Sequence, residues 1–260
     1  MSVEHCQNSE PAWFSQASFR CRLDWGQRGA AAAAARGDLL VVIDVLSFST
    51  VVATATHRGV AILPCFSEAK QRLAKEVGAA PAVKRAEVPR LGRFSPSPET
   101  YLTAEAGTAV ALDSLNRAAC VLRGRGAAAL IAASFVNAEA VAAWLTKQIR
   151  TTGNNVTILA CGEHWPTPFP GEEVRFALED YLGAGAVLSY LDFDKSPECQ
   201  VCEAGFRSVR DRLEQVLLHC GSGIELRDKG YATDVRHAAR LNLYDVVPIL
   251  EGAAFVNGRI

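Results

Sequence analysis

LLVVIDVLSFST, residues 39–50, is the stretch whose reading decides the fold. Five apolar side chains, Leu39 to Ile43, run into one carboxylate, Asp44; two more apolar residues follow, then the hydroxyls of Ser47, Ser49 and Thr50. A continuous apolar run bounded by polar residues is the pattern of a strand buried on both faces, as in a parallel sheet between helix layers. The next residues, VVATATHRGV, are small and read as the opening turns of a helix. In open α/β sheets ligands bind where strands end and helices begin, and the free N–H groups of a helix start favour an anion. Asp44 with its neighbouring hydroxyls therefore has the layout of a metal-assisted phosphate site. The plainer alternative is a strand end that Asp44 and Ser47 merely cap.

The same theme recurs outward from this stretch. LIAAS-FVN-AEAVAAWL and VTILACG repeat the succession of strand, polar turn and small-residue helix. Strands alternating with helices predict a layered α/β/α fold with a mostly parallel or mixed central sheet and right-handed crossovers. FSQASFRCRLDW (14–25) alternates in polarity and predicts an antiparallel or edge strand, and GQRGAAAAAARGD (26–38) predicts a loop or a single helical segment. Residues 1–12 are polar and are expected to fray. The domain reading is residues 1–38 as an N-terminal edge strand and Ala-rich connector, within a single α/β domain over 14–260. Further on, SEAKQRLAKEVGA predicts a helix with Ser67 as N-cap and Gly78 at its end, VRFALEDYLGAGAVLSYL a helix over 174–191, and RSVRDRLEQVLLHC an amphipathic helix over 207–220. DFDKSPECQVCEAGF (192–206) reads only as polar. FSPSPETY, inside a proline-rich stretch over 81–102, is expected to lie over the strand-end edge as a lid more mobile than the sheet.

Composition excludes several classes of function. Lys plus Arg is 27 against 28 for Asp plus Glu, a formal charge of -1, so no basic surface awaits nucleic acid. No apolar run is long enough for a membrane span, and the N-terminus shows no signal-peptide pattern. Eight scattered cysteines, with Cys65, Cys120 and Cys161 in apolar runs, fit a reducing cytoplasm. Cys199 and Cys202 have C-x-x-C spacing, but His219 and Cys220 downstream make poor zinc-ligand geometry.

The chemistry-bearing candidates gather at predicted strand ends: Asp44, Ser47, Ser49, Thr50, Asn116, Ser134, Asn137, Cys161 and Glu163. One edge of a parallel sheet would collect them. Glu179 and Asp180 are adjacent carboxylates on an apolar helix, where neighbours diverge by about 100° and at most one faces a given site. Lys84, Arg85, Arg93 and Arg117 are cations placed to clamp an anion, and at least two are expected in the cleft with Asp44.

The ordered succession VVIDVLSFST, KR with FSPSPETY, LDSLNRAA, AASFVNAEAVA, ILACG, LEDYLGAGAVLSYL and ELRDKGYATDV resembles the 2-phosphosulfolactate phosphatase family. That resemblance implies a Mg²⁺-dependent hydrolase converting 2-phospho-3-sulfolactate to 3-sulfolactate and phosphate, a step in making coenzyme M in some organisms. It implies Asp44, Asn116, Ser134 and Asn137 as catalytic residues. Asp44, Glu179 and Asp180 are implied as the magnesium set, with Asp234 a looser match. Ser47, Ser49, Thr50, Lys84, Arg85 and Arg117 are the substrate-binding candidates. Many family members read Gly-Glu-Arg where this chain has Val83-Lys84-Arg85, and Arg-Ala-Thr-Ser where it has Ser47-Phe48-Ser49-Thr50. The alternative is a non-catalytic anion-binding or sensing protein on the same fold. The expected partners are a small-molecule phosphoester and a second copy in a homodimer, with no nucleic acid and no membrane.

Overall fold

The structure, a computed structural model, describes residues 12–113, 115–165 and 174–258; for residues 12, 13 and 115–117 it describes the backbone alone. The chain order is β1 (Cys21–Trp25), α1 (Gly26–Arg36), β2 (Leu39–Ile43), α2 (Phe48–His57), β3 (Ala61–Cys65), α3 (Lys70–Val77), β4 (Ala80–Pro81), β5 (Ala109–Asp113), α4 (Leu115–Gly124), β6 (Ala129–Ala133), α5 (Ala138–Thr152), β7 (Val156–Ala160), α6 (Leu178–Leu188), α7 (Pro197–Val209), α8 (Leu213–His219), α9 (Gly221–Asp228), α10 (Ala232–Ala238), β8 (Pro248–Glu251) and β9 (Ala254–Asn257).

The strands form one mixed sheet in the order β1-β7-β2-β6-β8-β9-β3-β5-β4. All five residues of β2 are buried, as a two-sided strand requires. Side chains alternate across a strand. Leu39, Val41 and Ile43 therefore enter a core shared with α5, α6 and α7, while Leu40 and Val42 enter a second core shared with α1, α2 and α4. Burying a Leu, Ile or Val side chain contributes about 1.5–3 kcal/mol, so this one strand ties both helix layers to the sheet.

The sheet bears out one expectation and corrects another. β1 is the expected edge strand, and it pairs parallel to β7. Its polar alternation has another cause: Arg22 is only 4% exposed because Nη1 donates to both carboxylate oxygens of Asp38, at 2.9 and 3.0 Å. The sheet also has no single C-terminal edge. β1, β7, β2 and β6 are parallel, as are β3, β5 and β4, and the β8–β9 hairpin lies antiparallel to both neighbours. The two parallel blocks therefore run in opposite directions.

Helix boundaries follow local chemistry. The Ala-rich segment is a helix, α1. α3 starts later than expected, because Ser67 Oγ bonds Asp113 Oδ2 at 2.7 Å, and it ends at Gly78, whose φ of 68° suits glycine. α6 begins only at Leu178, since Arg175 is held in an isolated bridge to Glu163. Its small residues permit close approach: a Cβ on Gly185 would lie 2.4 Å from the Cys202 carbonyl oxygen of α7. The amphipathic segment at 207–220 divides between the end of α7, a 3-10 turn and α8. Among the described residues no helix is long and apolar enough to cross a membrane. The expected fraying of residues 1–12 falls almost wholly outside the described residues.

Candidate active site

Strand register brings the first candidates together. Ile43 pairs with Ala133 of β6 and with Ala160 of β7. The next residues in line are Ser134, Asp44 and Cys161, at the ends of three adjacent parallel strands spaced about 4.8 Å apart. Asp44 is 1% exposed, and its Oδ1 accepts the N–H of Phe48 at 2.9 Å, which explains why α2 begins at that residue. Ser49 Oγ closes the same turn, accepting the Asp44 N–H and donating to the Asp44 carbonyl oxygen at 2.7 Å. Thr50 Oγ1 donates to the Val45 carbonyl oxygen at 2.8 Å. These two hydroxyls are thus engaged in shaping the turn, and Ser47 alone of the trio lines the adjoining cleft. The Leu46–Ser47 peptide bond is cis.

Ser134 differs from its neighbours. It is fully buried, and its Oγ has no hydrogen-bond partner among the described residues. Asn137 shapes the backbone around it: Oδ1 accepts the Ser134 N–H at 2.9 Å, and Nδ2 donates to the carbonyl oxygens of Ala132 and Val246. An unpaired buried hydroxyl costs about 1–3 kcal/mol, which makes the strand ends beside Asp44 a candidate ligand site, behind the cleft wall rather than lining it.

Glu179 and Asp180 are both buried, at 2% and 3% exposure, and they diverge as helix geometry requires. Asp180 Oδ1 accepts the Val45 N–H at 2.8 Å and Oδ2 the Gly162 N–H at 2.9 Å, stapling the ends of β2 and β7 together. Glu179 faces Cys220. Burial pushes the Cys220 thiol up to about 12, and the Glu179 carboxylate adds to the shift.

Magnesium takes hard oxygen ligands, commonly one or two carboxylates plus waters and substrate phosphate. Among the described residues no group of three or more His, Cys, Asp or Glu stands together as a metal cluster. Asp44, Glu179 and Asp180, the magnesium set implied by the resemblance, therefore do not converge as one cluster, because Asp180 is spent on the Val45 and Gly162 N–H groups and Glu179 turns to Cys220. The Asp44 carboxylate with the Ser134 hydroxyl is still of the donor class for a sparse site, so these residues fit an ion shared with a substrate.

A cleft of about 400 Å³ opens in front of the turn, lined by Ser47, Phe48, Ser67, Arg85, Pro96, Asp113, Glu163, Ser222 and Glu225 among others. It collects residues from both parallel blocks of the sheet. Arg85 is its described cation. Nη2 donates to Ser47 Oγ at 2.7 Å and to the Pro96 carbonyl oxygen, while Nε donates to Asp234 Oδ2 at 2.8 Å. The other oxygen of Asp234 accepts Ser97 Oγ at 2.6 Å. One buried carboxylate thereby holds both the arginine and the proline-rich segment over the Asp44 edge, where a lid was expected. Phe94, Ser95, Ser97, Pro98 and Tyr101 of that segment are buried.

Lys84 and Arg93 are exposed and do not line the cleft; Arg93 donates to the Thr103 carbonyl oxygen at 2.6 Å. Of the three cations whose side chains are described, Arg85 reaches the cleft. The side chains of Asn116 and Arg117 lie outside the described residues. Sequence reasoning missed Asp113 and Ser222. Asp113 ends the run AVALD as Asp44 ends LLVVID, and that repeated pattern was the available signal. Burial raises the Asp113 carboxyl, but Lys70 and Ser67 together hold it below the ordinary value.

An α/β/α protein with a carboxylate at the ends of adjacent parallel strands, and an arginine-gated cleft before it, is the class that this geometry defines. The family model described as 2-phosphosulpholactate phosphatase matches residues 29–253, and the chain belongs to that family. A probable 2-phosphosulfolactate phosphatase of Carboxydothermus hydrogenoformans is 32% identical over 215 residues, covering 80% of this chain and 84% of the relative. Proteins described in the same words from Thermotoga petrophila and Thermosynechococcus vestitus are 28% and 25% identical, over 83% and 81% of this chain and 90% and 88% of their own lengths.

Proposed function

We propose that this chain is a phosphatase of a small anionic phosphomonoester, hydrolysing 2-phospho-3-sulfolactate to 3-sulfolactate and phosphate with magnesium as cofactor. Family membership supports the substrate. The observation that carries the placement of the chemistry is the unpartnered Ser134 hydroxyl at the strand end beside Asp44. Asp44 and Ser134 would hold the ion there, and when bound it would supply polarisation of the phosphate and a lowered pKa for water. Asp44 serves as metal ligand or as nucleophile, and Ser134 donates to a phosphate oxygen. The substrate carries about four negative charges at neutral pH, given a second phosphate pKa near 6. Arg85, held at the mouth by Asp234, offsets part of that charge, and the segment over 94–101 limits water access.

The test is phosphate release from 2-phospho-3-sulfolactate, with and without EDTA, for the wild type and Asp44→Asn. Turnover that persists in EDTA removes the metal role. The second reading, an anion-binding or sensing protein without turnover, is favoured by one observation. Lys84 stands where the family resemblance has glutamate, and it turns to solvent. Mg²⁺-supported binding of the ester without phosphate release would select that reading.

A further inference from the structure

One wall of the cleft is the first turn of α9. The helix spans Gly221–Asp228, with Cys220 as N-cap and no acidic residue in its first turn. The first N–H groups of a helix lack acceptors within it and carry the positive end of its dipole. Here the Ile224 N–H returns to the Cys220 carbonyl oxygen at 2.9 Å, while those of Gly221 and Ser222 donate to none of the described residues. Ser222 is only 6% exposed, and it lines the same cleft as Ser47 and Arg85. No hydrogen bond joins its hydroxyl to a described residue, and the side chain keeps a small exposure on the cleft wall. A nearly buried hydroxyl on a cleft wall, with no partner among the described residues, can donate to an acceptor that enters the cleft. The guanidinium of Arg175 stands over the same turn, since a Cβ built on Gly221 would lie 3.5 Å from its Nη1. Glu163 and Glu225 also line the cleft, Glu225 being paired outward with Lys229, and the Glu179 carboxylate stands against the Cys220 thiol on the inner side of the same helix start.

We propose that the first turn of α9, Gly221–Ser222, is the subsite for the sulfonate of the substrate. The assignment rests on the phosphatase reading above and deepens it. A sulfonate presents three oxygens in a tetrahedral array and stays ionised at every working pH. The turn supplies three donors, the Gly221 N–H, the Ser222 N–H and the Ser222 hydroxyl, with Arg175 beside them to balance charge. A phosphoester held at the Asp44 edge thus carries its second strong anion to a helix start, the place in a fold best suited to receive one.

The test compares kcat/KM for 2-phospho-3-sulfolactate with kcat/KM for 2-phospholactate, which keeps the phosphate and carboxylate but lacks the sulfonate. Ser222→Ala removes the hydroxyl. Gly221→Pro removes an N–H at the first helical position, where proline fits, and Cys220, with ψ 165°, has the extended conformation that must precede it. Each variant is expected to lower the preference for the sulfonated ester about tenfold, the loss of one hydrogen bond to a charged group. By isothermal titration each should weaken 3-sulfolactate binding by a similar factor, and inorganic phosphate binding by less. A preference within twofold of wild type in both variants, with unchanged melting, overturns the subsite. If the wild type releases phosphate from neither ester, the phosphatase reading falls, and titration with 3-sulfolactate decides alone. Weaker binding by Ser222→Ala then supports the subsite, and equal or absent binding overturns it.

Discussion

Asp234→Asn keeps the shape of the side chain and removes its charge, and its effect can be worked out from the contacts. Asp234 is 2% exposed and Arg85 18%, with Nε to Oδ2 at 2.8 Å. A hydrogen bond to a charged group is worth about 1.5–3 kcal/mol, and breaking a fully buried ion pair costs about 3–5 kcal/mol. Arg85 keeps some water, and its guanidinium lies 5.6 Å from the Tyr231 ring, so the loss falls toward the lower figure, about 2 kcal/mol. For a chain of this length each kcal/mol moves Tm by about 2–4 °C, so Asp234→Asn should melt about 4–8 °C lower. The same change releases the guanidinium from its aim at Ser47, and KM for the phosphoester should rise about tenfold, the equivalent of about 1.4 kcal/mol. The assays are thermal melts and phosphate release for Asp234→Asn, Arg85→Gln and the double variant. Because Arg85 is the group left unpaired, Asp234→Asn should cost less than half as much in the Arg85→Gln background. Additive stability losses with an unchanged KM would refute the idea that Asp234 works by holding Arg85.

Other outcomes follow from the same contacts. Ser134→Ala removes a hydroxyl that has no partner, so Tm should stay level or rise while kcat/KM falls at least tenfold; a drop in both would mean that Ser134 is part of the scaffold. Asp180→Ala leaves the Val45 and Gly162 N–H groups unpaired in the core, and should lower stability by about 2–4 kcal/mol in urea melts; a loss under about 1 kcal/mol would refute the staple. Burial pushes His237 below its ordinary value of 6.5, with Arg240 adding and Asp234 opposing. The fold thus favours the neutral ring, and this contribution is complete above 6.5 and lost as pH falls below it. His237→Gln should therefore show a smaller fall in Tm between about pH 7 and 5 than wild type, and equal falls would exclude His237 as the cause.

Much of this was legible because single residues carried their own boundary conditions. LLVVI read as a two-sided strand because every position is apolar, and Asp44 read as its end because an isolated carboxylate does not continue such a strand. Gly78 read as a helix end for the same local reason. α7 was missed because its polar residues hid the start signal, Ser196 capping Cys199 at 3.2 Å with Pro197 at the first helical position. The direction of the second strand block was not legible, because it depends on a hairpin from far along the chain pairing into the middle of the sheet. In the site, adjacency in sequence misled: Lys84 and Arg85 look equivalent on paper, yet the short 3-10 turn over Arg85–Glu87 sends one to solvent and the other to Asp234. Ser49 and Thr50 look like ligands until the turn engages their hydroxyls.

The β8–β9 hairpin has a consequence for how the molecule is made. It is the seam that joins two half-sheets of opposite direction, yet its residues, Pro248–Glu251 and Ala254–Asn257, come after every other strand in the sequence. During synthesis, β6 and β3 each wait with a row of unpaired backbone groups facing the place the hairpin will fill. Such rows are open templates for another chain. The interval between translation of β6 and translation of residue 257 is thus when a nascent chain is most exposed to strand pairing with its neighbours on the same message. A soluble peptide spanning residues 246–258, added during refolding, should compete for that same gap.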